Sequence, residues 1–236
     1  MAIAKRQSQL VAHGTGTSPV TASGDGYASN TLSGSLLVLV AWATGSSSTA
    51  AAPAIGTPTT AGFTWVLAQS NTFADGGGPN GGRCSIYYIA NAGAMSSSTS
   101  TSVTATKAGS SPSVAVEFAC YEFSGVATST PLDQNAGQSS QTGTPVDAGS
   151  LGTLGTALIF AACIAEDPIA TGSGFTTGIS SSTVSGGRSQ YILNQTSGTI
   201  DTAFGANSGG YWGASSVDFL AAAVAKTTSY AFIFGF

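Results

Sequence analysis

Apolar residues in this chain recur either at every second position or in short unbroken runs, and both patterns belong to β-strands. The stretch from Ser113 to Gln134, SVAVEFACYEFSGVATSTPLDQ, shows the first pattern. Val114, Val116, Phe118 and Cys120 fall on one face, with Ala115, Glu117, Ala119, Tyr121 and Phe123 on the other. Ser124-Gly125 ends that strand, and a turn-rich segment containing Pro131 and Asp133 follows. SLLVLVAWA, Ser35 to Ala43, shows the second pattern: a nearly continuous apolar run between Gly34 and Gly45, as in a strand buried on both faces. Further strands are predicted at residues 7–13, 63–69, 83–90, 99–108 and 157–165, with SYAFIFGF as a last strand. Ala74 to Gly82, ADGGGPNGG, is nearly pure turn chemistry and is expected as an exposed loop. No long amphipathic helix is found; Ala-containing runs such as Thr49 to Ala54 are too short and include Pro53.

The second half of the chain echoes the first. SGSLLVLVAWA at Ser33–Ala43 is answered by LGTALIFAACIA at Leu154–Ala165, and Ala-Gly-Phe-Thr at 61–64 by Ser-Gly-Phe-Thr at 173–176. GGRCSIYY at Gly81–Tyr88 returns as GGRSQYIL at Gly186–Leu193, and the 98–108 region as TSGTIDTAFGA at Thr196–Ala206. SVAVEFACYEF has a weaker counterpart in SVDFLAAAVA, Ser216–Ala225. Four echoes in the same order point to an internal duplication with a unit too long for a solenoid. The expected fold is all-β: a jelly-roll-like antiparallel β-sandwich, either one sandwich to whose sheets both halves contribute or two similar sandwiches side by side. Residues 1–30, poor in core signals, are expected as an N-terminal docking arm. Residues 31–236 are expected as the sandwich, with half-repeats at about 31–126 and 151–236 and residues 127–150 as the linker.

Composition adds one sharp feature. Hydrophobic residues make up an ordinary 42%, but only 7% are charged, against roughly 25% in typical soluble domains. Such a surface, built of Ser, Thr, Gly and Asn, repels its neighbours weakly and suits a subunit packed against many others. Six basic residues without a cluster exclude nucleic acid as the expected partner, and the longest apolar run is far short of the ~20 residues a membrane-spanning helix needs. The N-terminus, MAIAKRQSQLVAHGTG, lacks the apolar core of a secretory signal. Cys84, Cys120 and Cys163, unclustered and each within a strand, read as small buried hydrophobes.

Candidate chemistry is sparse. His13 is the sole histidine, and no G-x-S-x-G elbow accompanies it, so a Ser-His-Asp hydrolase is not expected. Glu117 and Glu122 lie on opposite faces of one strand, so at least one must point inward and needs a partner. Arg83 and Arg188, each opening a strand after Gly-Gly in corresponding places, are the expected partners in structural ion pairs. Glu166-Asp167 could hold calcium at a loop tip, but adjacent loop acids are ordinarily just solvated, and no metal or other cofactor is expected. Trp42 and Trp65 read as core. Tyr211-Trp212, after Ser208-Gly209-Gly210, is the one aromatic pair in a loop-like setting and the candidate contact for a glycan or protein, with the loop at 75–82 beside it.

The order SLLVLVAWA, GFTW, SVAVEFACYEFSGVATSTPLDQ and TALIFAACIAED resembles a widespread, mostly uncharacterised family of β-sandwich domains found in phage virion proteins and bacterial surface proteins. Its signature, Glu-aromatic-Ser-Gly-Val followed by Pro-Leu-Asp-Gln, is matched by Glu122, Phe123, Ser124, Gly125, Val126, Pro131, Leu132, Asp133 and Gln134. The resemblance carries no catalytic residues. With no signal peptide or companion domain, it implies a non-enzymatic structural protein of a tailed-phage virion: a capsid decoration or head-fibre subunit, or a tail component. Its implied partners are other virion proteins and further copies of itself. A carbohydrate-binding or adhesion module is the alternative.

Overall fold

The structure, a computed structural model, describes residues 2–47, 51–74, 80–110, 112–140, 145–184, 186–205 and 210–223. Every regular element among them is a β-strand. The first half comprises β1 (Ala4–Thr17), β2 (Val20–Asp25), β3 (Ser35–Ser46), β4 (Ala54–Ile55), β5 (Thr59–Thr60), β6 (Val66–Ala74), β7 (Asn80–Ala92), β8 (Ser100–Thr106) and β9 (Ser113–Ser124). The second comprises β10 (Leu132–Ser140), β11 (Ser150–Thr153), β12 (Ala157–Ala165), β13 (Thr176–Ser180), β14 (Arg188–Gln195), β15 (Gly198–Asp201) and β16 (Trp212–Leu220).

Pairing in each half is nested. β1 pairs with β9, β2 with β8 and β3 with β7, always antiparallel; in the second half β10 pairs with β16, β11 with β15 and β12 with β14. A long hairpin rolled on itself gives this order, which is the jelly-roll arrangement. The two large sheets run β1-β9-β3-β7-β6 and β10-β16-β12-β14-β13, the same order strand for strand. The duplication is therefore visible in topology, where residue identity is faint.

Four layers result. The large sheets face each other, and each is covered on its outer side by its own half's small sheet: β2-β8-β4 with β5 on β8 in the first half, β11-β15 in the second. This is the arrangement of two similar sandwiches, packed face to face through their large sheets. Alternation within single strands dictates it. In β3, Leu36, Val38, Val40 and Trp42 enter the shared core between the large sheets, while Leu37, Leu39, Ala41 and Ala43 enter the first half's own core with Val103, Ala105 and Tyr27. In β12, Leu158, Phe160, Ala162 and Ile164 enter the shared core, while Ala157 and Ile159, then Ala161 and Cys163, pack under the second half's outer layer. A continuous apolar run is what a strand between two cores requires.

Register fixes the equivalence of the halves. Leu37 pairs with Ile89 and Ile159 with Ile192, each beside a bulge that holds an asparagine at positive φ, Asn91 or Asn194; Leu36 also pairs with Phe123 and Leu158 with Phe219. Equivalent faces thus meet across the shared core, with β6 beside β10 and β1 beside β13, the self-complementary geometry of a two-fold dimer built into one chain. Glycine opens the equivalent strands for a steric reason: a Cβ at Gly82 would sit 2.4 Å from the Phe73 ring, and one at Gly187 3.2 Å from the Trp42 ring.

Three boundaries differ from expectation. Residues 4–25 are no separate arm: β1 is hydrogen-bonded to β9 from Ala4 to Thr17, Ile3 is buried in the shared core, and β2 belongs to the first outer sheet. The expected linker, 127–150, contains β10, so the second half begins near Leu132 and not at 151. β9 and β16 do correspond, but with an offset of 96 residues (Glu122 to Asp218) where the sequence match Ser113 to Ser216 implies 103. The predicted last strand, SYAFIFGF, and most of the expected loop, residues 75–79, lie outside the described residues.

Candidate functional site

Two carboxylates on β9 organise the junction between the halves and the entry of the chain. Glu117, 1% exposed, faces the second half, where the loop after β13 closes over it. The Ser181 hydroxyl donates to its Oε2, as do the backbone N–H groups of Ser182 and Thr183 at 3.0 Å, and the Ser182 hydroxyl donates to Oε1 at 2.7 Å. Burial pushes the carboxyl up, but these four bonds outweigh it and hold Glu117 below the ordinary carboxylate value. Glu122, also 1% exposed, faces the first half's own core. It accepts from Leu32 N and Ser35 Oγ, both at 2.8 Å, and from Gln7 Nε2 at 2.7 Å, and pairs with Arg6 Nε at 3.3 Å.

The ion pairs expected for Arg83 and Arg188 are therefore not formed. Arg83 donates to the Pro53 carbonyl at 2.7 Å and to Ser70 Oγ at 3.0 Å, and Arg188 to Thr171 Oγ1 at 2.9 Å. Arg83 serves the edge strand of its sheet through Ser70 of β6 and lies far in register from the Glu122 carboxylate. The partners that sequence reasoning missed, Arg6 and the Ser181–Thr183 loop, carry little signal, because Ser and Thr recur throughout the chain.

The signature glycine has a clear reason. Gly125 adopts φ +78°, and a Cβ there would lie 2.2 Å from the Ala2 carbonyl oxygen. Gly125→Ala is expected to cost about 2 kcal/mol, combining left-handed strain with displacement of the N-terminus, as read from the urea midpoint. A shift under about 0.5 kcal/mol would show that residues 2–3 move aside freely.

Tyr211-Trp212 is not a loop pair. Trp212 opens β16, is 4% exposed and packs with Val146, Ile169 and Phe204, so it has no free face for a sugar ring. Tyr211 stacks on Phe73 with centroids 6.4 Å apart. The Glu166 carboxylate beside it accepts the Tyr211 N–H at 3.3 Å and borders an open cleft of about 400 Å³ lined by Thr44, Ser46, Asn80 and Ala115. His13 stands opposite Glu117 in the β1–β9 register, but the Glu117 oxygens take their hydrogen bonds from the β13–β14 loop. All three cysteines are buried and free, and burial pushes the Cys84 thiol up to about 11. Among the described residues no group of three or more His, Cys, Asp or Glu comes together to hold a metal.

The surface offers a different kind of site. β6 and β10 are the edge strands of the two large sheets and lie side by side, joined by Asn135 Nδ2 donating to the Ala68 carbonyl at 3.1 Å. In these two strands the only charged side chain is Asp133, one of whose oxygens is fully buried, while Val66 and Leu67 are 47% and 52% exposed. Edge strands are normally protected by Lys, Pro or inward-pointing charges. This flank is not. The opposite flank, β1 and β13, carries Lys5 and Arg6.

Compared with family models, curated proteins and solved structures, the chain matches none of them.

Proposed function

We propose that this chain is a structural protein of a tailed-phage particle, a capsid decoration or head-fibre subunit or a tail component, working by protein–protein association and not by catalysis. The observation that carries the reading is the β6/β10 flank, which holds no Lys, Arg or Glu and exposes Val66 and Leu67, an edge suited to lateral packing against another protein. The 7% charge content supports the same reading, since little repulsion opposes close packing of copies. Jelly-roll order adds an analogy of architecture, as viral capsid domains use it; so do lectins. The partners in this reading are other virion proteins and further copies of the chain, the place is the assembled virion, and no cofactor is needed.

The test has two arms. The chain should be found by mass spectrometry in gradient-purified particles of the phage that encodes it, and absence from them overturns the virion assignment. Purified protein should form oligomers by light scattering that Leu67→Lys dissociates, with loss of at least about tenfold in association constant for a charge placed at an interface. An unchanged association constant would remove the flank from the interface. Specific binding on a glycan array by a protein absent from particles would favour the adhesion alternative.

A further inference from the structure

Beneath β11, on the outer face of the second large sheet, two carboxylates each end in a buried oxygen that no donor meets. Asp218 on β16 is 0% exposed; its Oδ1 accepts Gln134 N at 2.7 Å, and its Oδ2 has no partner. Asp133 sits where β10 bulges between Leu132 and Gln134, and its Oδ2 is likewise buried and unpartnered. Two residues from Asp218 on the same face of β16, the Ser216 hydroxyl is buried without a partner as well. Gln134 anchors the layer above by exchanging both side-chain hydrogen bonds with the backbone of Gly152 in β11, at 2.8 and 2.9 Å.

Such a grouping is unlike the rest of the molecule. The bulges shared by the halves make Glu122 the counterpart of Asp218 and Arg6 that of Asp133, so the second half has an acidic pair where the first half has an ion pair. Burial raises the Asp218 carboxyl, the Gln134 N–H lowers it and the neighbouring Asp133 raises it again, with the balance upward; the Thr153 hydroxyl nearby donates to the Gly155 carbonyl at 3.0 Å. Asp133 sits in the bulge next to Gln134, the register partner of Asp218, and among the described residues no basic side chain pairs with either carboxylate. Five of the six basic residues are engaged elsewhere: Lys5 over the Tyr191 ring, Arg6 on Glu122, Arg83 on Pro53 and Ser70, Lys107 on Ala51, and Arg188 on Thr171. The sixth, Lys226, lies outside the described residues.

We propose that Asp133 and Asp218 bind one calcium ion, with the Thr153 hydroxyl beside them and water completing the oxygen shell. Calcium accepts irregular sets of oxygen ligands, carboxylates foremost, and a two-carboxylate site belongs at the weak end of its range, with a dissociation constant of roughly 0.1–1 mM. Bound there, the ion ties the β10 bulge to β16 and holds β11 down on the sheet. The site shares β10 with the association flank through Asp133 but not the exposed Val66 and Leu67.

The experiment uses the full chain, stripped of metal by chelation and dialysed at neutral pH. Titration calorimetry with calcium chloride is expected to show one site per chain, and the melting temperature to rise with added calcium by mass action. Asp133→Asn and Asp218→Asn should each weaken calcium binding by about tenfold or more. Without metal, Asp218→Asn should melt no lower than the wild type, because it removes the unneutralised carboxylate; that result also shows that the variant folds. Lys226→Met should leave calcium binding unchanged. No heat and no melting shift up to about 5 mM calcium, well above the expected constant, overturns the proposal. So does a metal-free wild type that loses stability in Lys226→Met, since the lysine then fills the gap, or one that gains stability from pH 7 to 5 without responding to calcium, since the carboxylates then share a proton.

Discussion

Val38→Asp is expected to abolish folding, leaving a chain without a cooperative melting transition in circular dichroism. Val38 is 0% exposed at the centre of the shared core, where β3 lies between β9 and β7 and faces the second half. The substitution removes roughly 1.5–3 kcal/mol of apolar burial and forces a carboxylate into an apolar layer, a cost of several kcal/mol more. Together these approach the whole stability of an ordinary domain. Phe160→Asp should behave alike, since Phe160 faces the same core from β12. A cooperative transition at the wild-type temperature in Val38→Asp would show that the large sheets do not pack on each other.

Glu117→Ala is expected to cost about 3 kcal/mol in urea unfolding at neutral pH. The variant strips the acceptor from four donors in the Ser181–Thr183 loop, and hydrogen bonds to a charged group are worth roughly 1.5–3 kcal/mol each. The loop can rehydrate, so the loss falls short of their sum. The pH dependence has a definite sign. Because the folded-state value lies below the ordinary one, the Glu117 contribution is fully present above the unfolded carboxylate value and is lost as pH falls through the folded one. The difference between wild type and Glu117→Ala should therefore be constant around neutrality and shrink in acid. A difference that grows in acid would mean that the carboxyl is protonated in the native protein.

Strand positions were legible because both burial patterns leave a mark in the residues. β3 and β12 sit between two cores and read as unbroken apolar runs; β9 alternates, and its two faces were assigned correctly to separate sides. The duplication was legible where a local constraint repeats, as with the Gly-Gly-Arg that opens β7 and β14. It was misread in β16, where Ser-Val recurs by chance and the true match, Asp218-Phe219 to Glu122-Phe123, is too short to stand out in the sequence. β1 and β2 were taken for an arm because an edge strand with one partner carries few apolar residues. Glu117 and Glu122 were rightly expected inside, but their partners come from a loop and an N-terminal strand more than 60 residues away, and nothing in local spacing encodes that. The expected aromatic site failed for a related reason: Trp212 follows a glycine-rich loop, yet it is already the first residue of a core strand.

Nested pairing also sets a timetable for a chain leaving the ribosome. Ala4 finds its partner only when Ser124 has been made, so the first strand synthesised is among the last to be seated. Contacts this distant in sequence close slowly, on the scale of milliseconds to seconds. Until then β9 lacks a neighbour on one side, and the newborn amino-terminal half offers nearby chains the very edge that its own beginning will later cover.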